Sequence, residues 1–375
     1  MTEQTKTRKD PFAFAERKPA EEAGAAGGGR PGYAGDVLRR LKKDGTSVAA
    51  VCILAVLILM ALFAPEMSRY TYRQQMLAED YVNMPPRIRG LTRIPLFSGH
   101  ATLKDRQLSS LSDTEKYPEG CVIRTFNERT VRGVTVVDAE VDYYLYKGAG
   151  EDVNFWFGTD ALGRDIWTRT WRGTRVSLLV AFAAVLLDIL IGTLYGAVCG
   201  YYGGKTDLIL MRICEVVRAI PNVVVCTLMI LLMGGGIGTM ILALACRNWV
   251  GTAQLVRVQF MRYKAQEYVI AARGMGASDT RIMFRHILPN AVGPVISRAV
   301  MAVPGVVFTE AFLSYIGLGI PAPEPSLGNL LAEAQGVLGL YPTQTLFPAL
   351  ILSLMMIAFH LLGIGLRDAL DTRSY

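Results

Sequence analysis

The stretch Thr46–Ala64 contains no charged side chain, and its nearest charges are Asp44 and Glu66. At about 1.5 Å rise per residue, roughly 20 helical residues cross a hydrocarbon core of about 30 Å, so this run has the length of one membrane span. Five more apolar blocks follow, at about Val176–Tyr201, Leu208–Met233, Ile237–Val256, Ala291–Phe312 and Leu346–Leu366. The chain is 51% hydrophobic and only 19% charged, and its apolar residues come in blocks instead of the periodic scatter of a soluble domain. An all-α polytopic membrane protein with six transmembrane helices is predicted, with the lipid bilayer as its first partner.

The net charge of +7 does not point to nucleic acid, because the excess Lys and Arg flank the apolar blocks, where they set membrane orientation. Residues 257–289 carry Arg257, Arg262, Lys264, Arg273, Arg281 and Arg285, whereas residues 313–345 carry no Lys or Arg. The first segment is therefore predicted inside and the second outside, and counting spans puts both termini in the cytoplasm.

Residues 1–45 read as a cytoplasmic tail, with 1–32 largely disordered. Residues 46–65 form the first span, which Pro65 is predicted to end. Residues 66–157 form an extracytoplasmic insert of mixed or irregular structure, in which Val131–Lys147 reads as strand. Residues 158–370 hold the other five spans, and 371–375 a short cytoplasmic tail. Pro221 punctuates the third span, and Gly234–Gly236 turns the chain between the third and fourth.

Reactive chemistry is poorly supported. Cys52, Cys199, Cys214, Cys226 and Cys246 lie in or beside apolar blocks without metal spacing, and Cys121 stands alone in the insert. His100, His286 and His360 are scattered, so no metal site is predicted. Gly204–Lys205–Thr206 ends like a phosphate-binding loop, but Cys199 occupies the place of the required first glycine and the segment follows a membrane span. Asp188, Arg247, Arg298, Glu310 and His360 lie in or beside spans, where a charge costs about 2.5–3.5 kcal/mol on insertion scales. Each is predicted to face protein or water. For Arg298 and Glu310, pathway lining and interhelical pairing both stand; for Asp188, pairing within the bundle is the better reading.

The segment Glu267–Asn290 reads EYVIAARGMGASDTRIMFRHILPN. Ala271 and Ala272 are small and favour helix, Gly274 and Gly276 interrupt it, and Ser278 or Asp279 can cap a second short helix running to His286. Pro289 then opens the next span, where its missing N–H costs least. Two short helices at an angle are predicted at the membrane surface. Spacing alone leaves two readings, a rigid elbow that a partner pushes on or a plain amphipathic interfacial helix.

That segment resembles the EAA motif of binding-protein-dependent ABC importers. Ala271, Ala272, Gly276, Leu288 and Pro289 match in register, while Ile270 stands for the motif's Glu and His286 for its Ile. Phe157–Leu178, FGTDALGRDIWTRTWRGTRVSL, resembles a signature of the peptide-importing branch. Gly158, Thr159, Asp160, Gly163, Arg164, Asp165, Arg169, Gly173, Arg175, Ser177 and Leu178 match it, with Thr168 where Ser is usual. Read bottom-up, Asp160, Arg164, Asp165 and Arg169 form either a charge network at the outer face or a solvated loop with capping acids. Phe312–Gly328 and Leu62–Pro65 also match, so the likeness covers residues 38–75 and 156–370; residues 76–155 look like an insertion.

The chain is thereby similar to the C-type permease subunits of bacterial dipeptide and oligopeptide ABC importers. The resemblance implies the type I importer permease fold, a place in the bacterial cytoplasmic membrane, and alternating access without chemistry of its own. It implies three kinds of protein partner: a homologous second permease, two ATP-binding-cassette ATPases that bind ATP and Mg, and an external solute-binding protein. This chain itself is expected to hold no cofactor. The coupling loop would comprise Glu267, Ala271, Ala272, Gly274, Gly276, Asp279, His286, Leu288 and Pro289, docked on the ATPase. Di- or oligopeptides are the implied cargo; nickel complexes, glutathione and other small solutes are the alternatives. A stand-alone receptor, membrane enzyme or channel would need a signalling domain, reactive constellation or selectivity filter that the sequence does not display.

Overall fold

A computed structural model describes residues 33–77, 80–150 and 152–370. The tails expected at 1–32 and 371–375 lie outside the described residues. Helix α1 (Tyr33–Lys43) leads to α2 (Gly45–Met67). Asp44 caps α2 by accepting from the Ser47 amide at 2.9 Å and the Thr46 amide at 3.3 Å.

Pro65 does not end α2, which runs on to Met67. A proline inside a helix leaves the carbonyl four residues earlier without its donor. That carbonyl, Ala61 O, accepts from Arg175 Nε at 2.8 Å, and Leu62 O accepts from Arg175 Nη2 at 2.7 Å. Trp167 Nε1 serves Ala64 O at 3.0 Å. Donors from a distant helix thus remove the reason for stopping.

The insert folds around strands β1 (His100–Gln107), β2 (Val122–Val131) and β3 (Val134–Asp142), an antiparallel sheet in the order β1-β3-β2. The strand expected over Val131–Lys147 resolves into the end of β2, the central β3 and a turn of helix α3 (Tyr143–Tyr146). In β3, Val137, Ala139 and Val141 point inward at period two, and β2 is almost wholly exposed. Met76, Met84, Cys121, Tyr144 and Phe155 complete a core separate from that of the membrane helices. Tyr144 donates to Pro85 O at 3.0 Å and accepts from the Phe155 amide at 3.3 Å.

Helix α4 (Ile166–Tyr202) follows, then α5 (Gly204–Ala219) and α6 (Asn222–Met233). The third span, which Pro221 was expected to punctuate, is broken: α5 and α6 meet at 82°. Pro221 pushes the preceding residue away from helical geometry, and Ile220 is extended at φ −76°, ψ 129°. Helix α7 (Ile237–Tyr263) packs along α4. Helices α8 (Glu267–Gly274) and α9 (Asp279–Arg281) form the elbow, followed by α10 (Leu288–Leu313), α11 (Leu327–Gln335) and α12 (Pro342–Leu370).

Among the described residues four helices are long and apolar enough to cross a membrane, or five if the bent α5–α6 pair is one span. The predicted fourth span, α7, has 27 residues but carries Arg247, Asn248, Gln254 and Arg257, and falls short on apolarity.

The α4–α7 contact depends on missing side chains. Gly192, Gly196 and Gly200 recur every fourth residue, so they share one face of α4. A Cβ on each would lie 2.7 Å from Trp249 O, 2.3 Å from Ala253 O and 2.5 Å from Arg257 O. Without a hydrophobic effect between helices in lipid, close backbone approach of this kind supplies the packing.

Candidate functional site

The elbow is fastened on one side and open on the other. Val269 and Ala272, one turn apart on α8, are buried, Val269 within a cluster that includes Tyr201, Phe260, Ile282 and Ile287. Tyr268, Ile270 and Met275 point outward, Met275 at 83% exposure. Glu267 opens α8 and Gly274 ends it; Ala271 is exposed. Gly276 then adopts φ +81°, a left-handed geometry that only glycine takes without strain, with open space where a Cβ would stand.

Ser278 is the N-cap of α9, without a side-chain bond, while Asp279 accepts from the Tyr201 hydroxyl at 2.5 Å. Arg273 Nη2 donates to the same Tyr201 oxygen at 3.2 Å. The end of α4 therefore grips both arms of the elbow. Nearby, Arg257 Nη2 donates to Asp207 Oδ2 at 2.6 Å and fixes α7 to α5.

The second arm is not the separate helix that was predicted. It runs through π turns at Ile282–Ile287 straight into α10, and the Leu288 amide reaches back to Met283 O. Pro289 cannot donate to the carbonyl of Arg285, and the wider turn absorbs that loss. Leu288 and Pro289 begin α10 as expected from their positions, and His286 lies in the π run, half-buried, with its carbonyl bound by Asn290 Nδ2 at 2.8 Å.

The Phe157–Leu178 signature gathers at the opposite end. Asp160 accepts from Arg164 Nε at 2.8 Å and is paired with Arg169. Glu333 of α11 joins them, taking Arg169 Nη1 at 2.7 Å, Arg169 Nη2 at 3.0 Å and Arg164 Nη2 at 2.9 Å. Asp165 stays out of this network. It caps α4 by accepting from the Thr168 amide and the Ser68 hydroxyl, both at 3.1 Å, and burial pushes its carboxyl up from the ordinary range. Thr159 Oγ1 donates to Tyr81 O at 2.6 Å and accepts from the Met84 amide at 2.8 Å. Gly158 has φ +82° and its missing Cβ would sit 2.3 Å from Met84 O. Gly163 and Gly173 likewise pack on the backbones of Met76 and Ser326. The signature is thus the seam between insert, α4 and α11.

A second ion cluster was not read from the sequence. Glu324 accepts from Tyr72 Oη at 2.7 Å, Arg172 Nε at 3.2 Å and Arg73 Nη2 at 3.3 Å. Only its proline-flanked setting, PAPEP, hinted that an acid would be held in place there. Partial burial works against the Glu324 carboxylate, and the Tyr72, Arg172 and Arg73 contacts outweigh it and hold the carboxyl below its ordinary value of 4.5. A depressed carboxyl stabilises the fold above its unfolded value, and that contribution is lost as the pH falls through the folded one. The gap in thermal midpoint between wild type and Glu324→Gln should therefore be present near neutrality and close as the pH drops below 4.5. A gap that stays constant across that range would contradict the assignment.

Glu310 does not line an open path. It is fully buried, accepting from Ser177 Oγ at 2.8 Å and Ser314 Oγ at 2.9 Å, and Ser177 Oγ in turn receives the Leu327 amide at 3.4 Å. This knot joins α4, α10 and the start of α11. Arg298 borders a cleft and gives its Nε to Thr252 Oγ1 at 3.0 Å. Asp188 is 2% exposed, and its Oδ1 has no hydrogen-bond partner among the described residues. No metal-ligating cluster occurs among the described residues.

Residues 192–374 match the family of binding-protein-dependent transport system inner membrane components, and residues 32–86 match the N-terminal TM domain of oligopeptide transport permease C. The oligopeptide transport system permease protein OppC of Bacillus subtilis is 44% identical over 218 residues, 58% of this chain and 72% of that protein. The dipeptide transport system permease protein DppC of the same organism is 36% identical over 342 residues, 91% of this chain and 86% of that protein. The glutathione transport system permease protein GsiD of Pectobacterium atrosepticum is 40% identical over 238 residues, 63% and 79% of the two chains. Among solved structures, inward-facing MetNI methionine ABC transporter matches with a TM-score of 0.43 at 19% identity, over 54% of this chain and 96% of that one. The chain belongs to the inner membrane components of binding-protein-dependent transport systems, as a multi-pass ABC-importer permease of the oligopeptide and dipeptide C-type branch and not a catalytic domain.

Proposed function

We propose that the chain forms half of a passage for di- or oligopeptides, opened and closed by ATPase subunits that grip its elbow on the cytoplasmic side. The observation that carries this reading is the asymmetry of Glu267–Asn290. Its inner face is locked by the buried Val269 and Ala272 and by the Tyr201–Asp279 bond, and its outer face presents Ile270 and Met275, at 61% and 83% exposure, with Tyr268 beside them. A stiff base with an exposed apolar edge suits a surface that a second protein holds and moves. Both termini then lie in the cytoplasm and the sheet-bearing insert outside. A homologous permease would supply the other half of the passage, two ATPases would bind ATP and Mg, and an external solute-binding protein would deliver cargo.

Gly276→Trp tests the reading. Among the described residues nothing lies within 4 Å of where a Cβ would stand, and the left-handed backbone adds a local strain of about 1–3 kcal/mol. A bulky ring there would hold the partner off the elbow. Peptide uptake by the assembled importer should fall by about tenfold or more at matched membrane levels, since a loss of about 1.4 kcal/mol of docking already gives a factor of ten. Unchanged uptake would sink the coupling role.

The glutathione permease relative supports a second reading, in which glutathione, a nickel complex or another small solute is the cargo. Competition between labelled tripeptide, glutathione and nickel for uptake separates the readings.

A further inference from the structure

At the elbow end, α7, α10 and α12 enclose a cleft of about 1100 Å3. Arg262, Arg298 and Arg367 border it, and no acidic side chain does among the described residues. Arg262 leans on the Tyr263 ring, 5.6 Å from its centroid. Arg298 uses Nε on Thr252, and its two terminal nitrogens have no hydrogen-bond partner among the described residues. Asp188 is within electrostatic reach of Arg298, but it lies 2% exposed on the far side of their shared neighbour Thr252 and does not border the cleft. Its charge attracts the guanidinium, whose Nη2 lies over Gly251 of α7, while Arg298 still borders the cleft.

Depth and hydrogen-bonding character narrow the ligand. Arg298 lies ten residues into α10, roughly 15 Å along the axis from its start. A lipid phosphate sits at the headgroup level, in reach of Arg262 and Arg367 near the helix ends but not of a side chain at that depth. Gln259, also on the cleft wall, has its Oε1 buried without a partner. That atom needs an N–H donor, which a peptide backbone has and a phosphodiester lacks. The C-terminal carboxylate is the anion that every unmodified peptide carries, and a guanidinium fork fits it.

We infer that this cleft is an exit site for the C-terminal end of peptide cargo, with Arg298 pairing the carboxylate, Gln259 Oε1 accepting a peptide N–H, and Arg262 and Arg367 drawing the anion toward the mouth. The inference rests on the peptide reading above. It makes the permease itself selective for free carboxylates, independently of any external receptor.

The test uses the assembled nucleotide-free importer without its solute-binding protein. The probes are fluorescent tetra-alanine with a free C-terminus and the same peptide as its C-terminal amide, read by polarisation. Wild type should bind the acid about tenfold more tightly than the amide, as expected for losing one charge-assisted pair. Arg298→Gln should bring the ratio close to one, and Arg298→Lys should restore part of it, with thermal midpoints confirming that each variant is folded. Equal binding of acid and amide by wild type overturns the inference, as does a preference that survives Arg298→Gln. Binding of neither peptide also overturns it; if phosphatidylglycerol then co-purifies and is lost from an Arg262→Gln, Arg367→Gln double variant, the cleft is a lipid site. Uptake of both peptides by the complete wild-type importer keeps the failures apart. Transport without acid preference at the cleft sinks this inference alone, and no transport of either peptide sinks the cargo reading too.

Discussion

Gly196→Val should abolish accumulation of the protein in the membrane. A Cβ at Gly196 would stand 2.3 Å from Ala253 O and 2.9 Å from Val256 Cβ. Overpacking of side chains costs about 1–3 kcal/mol when neighbours can shift rotamers. Here the first obstacle is a backbone carbonyl inside α7, so relief requires moving one helix off the other. That movement would also open the contacts at Gly192 and Gly200, which share the face, and the cost should lie at or above the top of that range. Natural domains have only about 5–15 kcal/mol of stability to lose. Gly305→Ala is the matched control, because nothing lies within 4 Å of a Cβ there and the helix gains up to about 1 kcal/mol in propensity. Quantitative blotting of membrane fractions at equal expression should show Gly196→Val strongly depleted and Gly305→Ala at wild-type level. Normal levels and an unchanged thermal midpoint for Gly196→Val would refute the close-packing account.

Arg169→Met should give the next largest loss. Arg169 is 3% exposed and bridges Asp160 to Glu333. Removing one partner of a buried ion pair typically costs about 3–5 kcal/mol, because the remaining charge is stranded. The lower end applies here, since Glu333 is 43% exposed and Asp160 keeps Arg164 and two amides. The seam that fails joins the insert to α11, so the thermal midpoint should drop and protease should cut residues 66–157 sooner. Asp160→Asn together with Arg169→Met should recover part of the loss. A single variant as stable and as resistant as wild type would show that the cluster holds nothing together.

The parts of this structure legible in the sequence are those set by local rules. Uncharged runs gave the long helices, and the glycine at position 276 marked a turn that needs a left-handed residue. The acids and bases at 160, 164 and 169 meet in one ion cluster, because their spacing on a loop and the first turn of a helix brings them together. Long-range partners defeated local reading. Pro65 ends a helix by the ordinary rule, and Arg175 and Trp167, from another helix, let α2 continue. Asp165 reads as one more charge in a network, yet Ser68 and Thr168 turn it into a cap. Pro221 announced a break in the third span but not its 82° angle, which depends on what α5 and α6 each pack against. The repeat Gly192, Gly196, Gly200 was not read, although its four-residue spacing is visible in the sequence, and β1 and β2 are too polar and exposed to show a strand period.

The two π runs flank α10, at Ile282–Ile287 beside the elbow and at Ser314–Leu318 beside the Glu310 knot. Between Asp279 and Leu318 the chain runs as a helical stretch of 40 residues, with those wide turns near its ends and a kink at Gly317, where φ is 85°. Wide turns exchange hydrogen-bond partners more easily than the regular helix between them. The unit therefore resembles a push-rod with a joint at each end. On the coupling proposed above, a tug on the elbow would pass along α10, through its internal prolines Pro294 and Pro304, to where α10 meets α11, so events at one membrane face would be felt at the other without a diffusing signal.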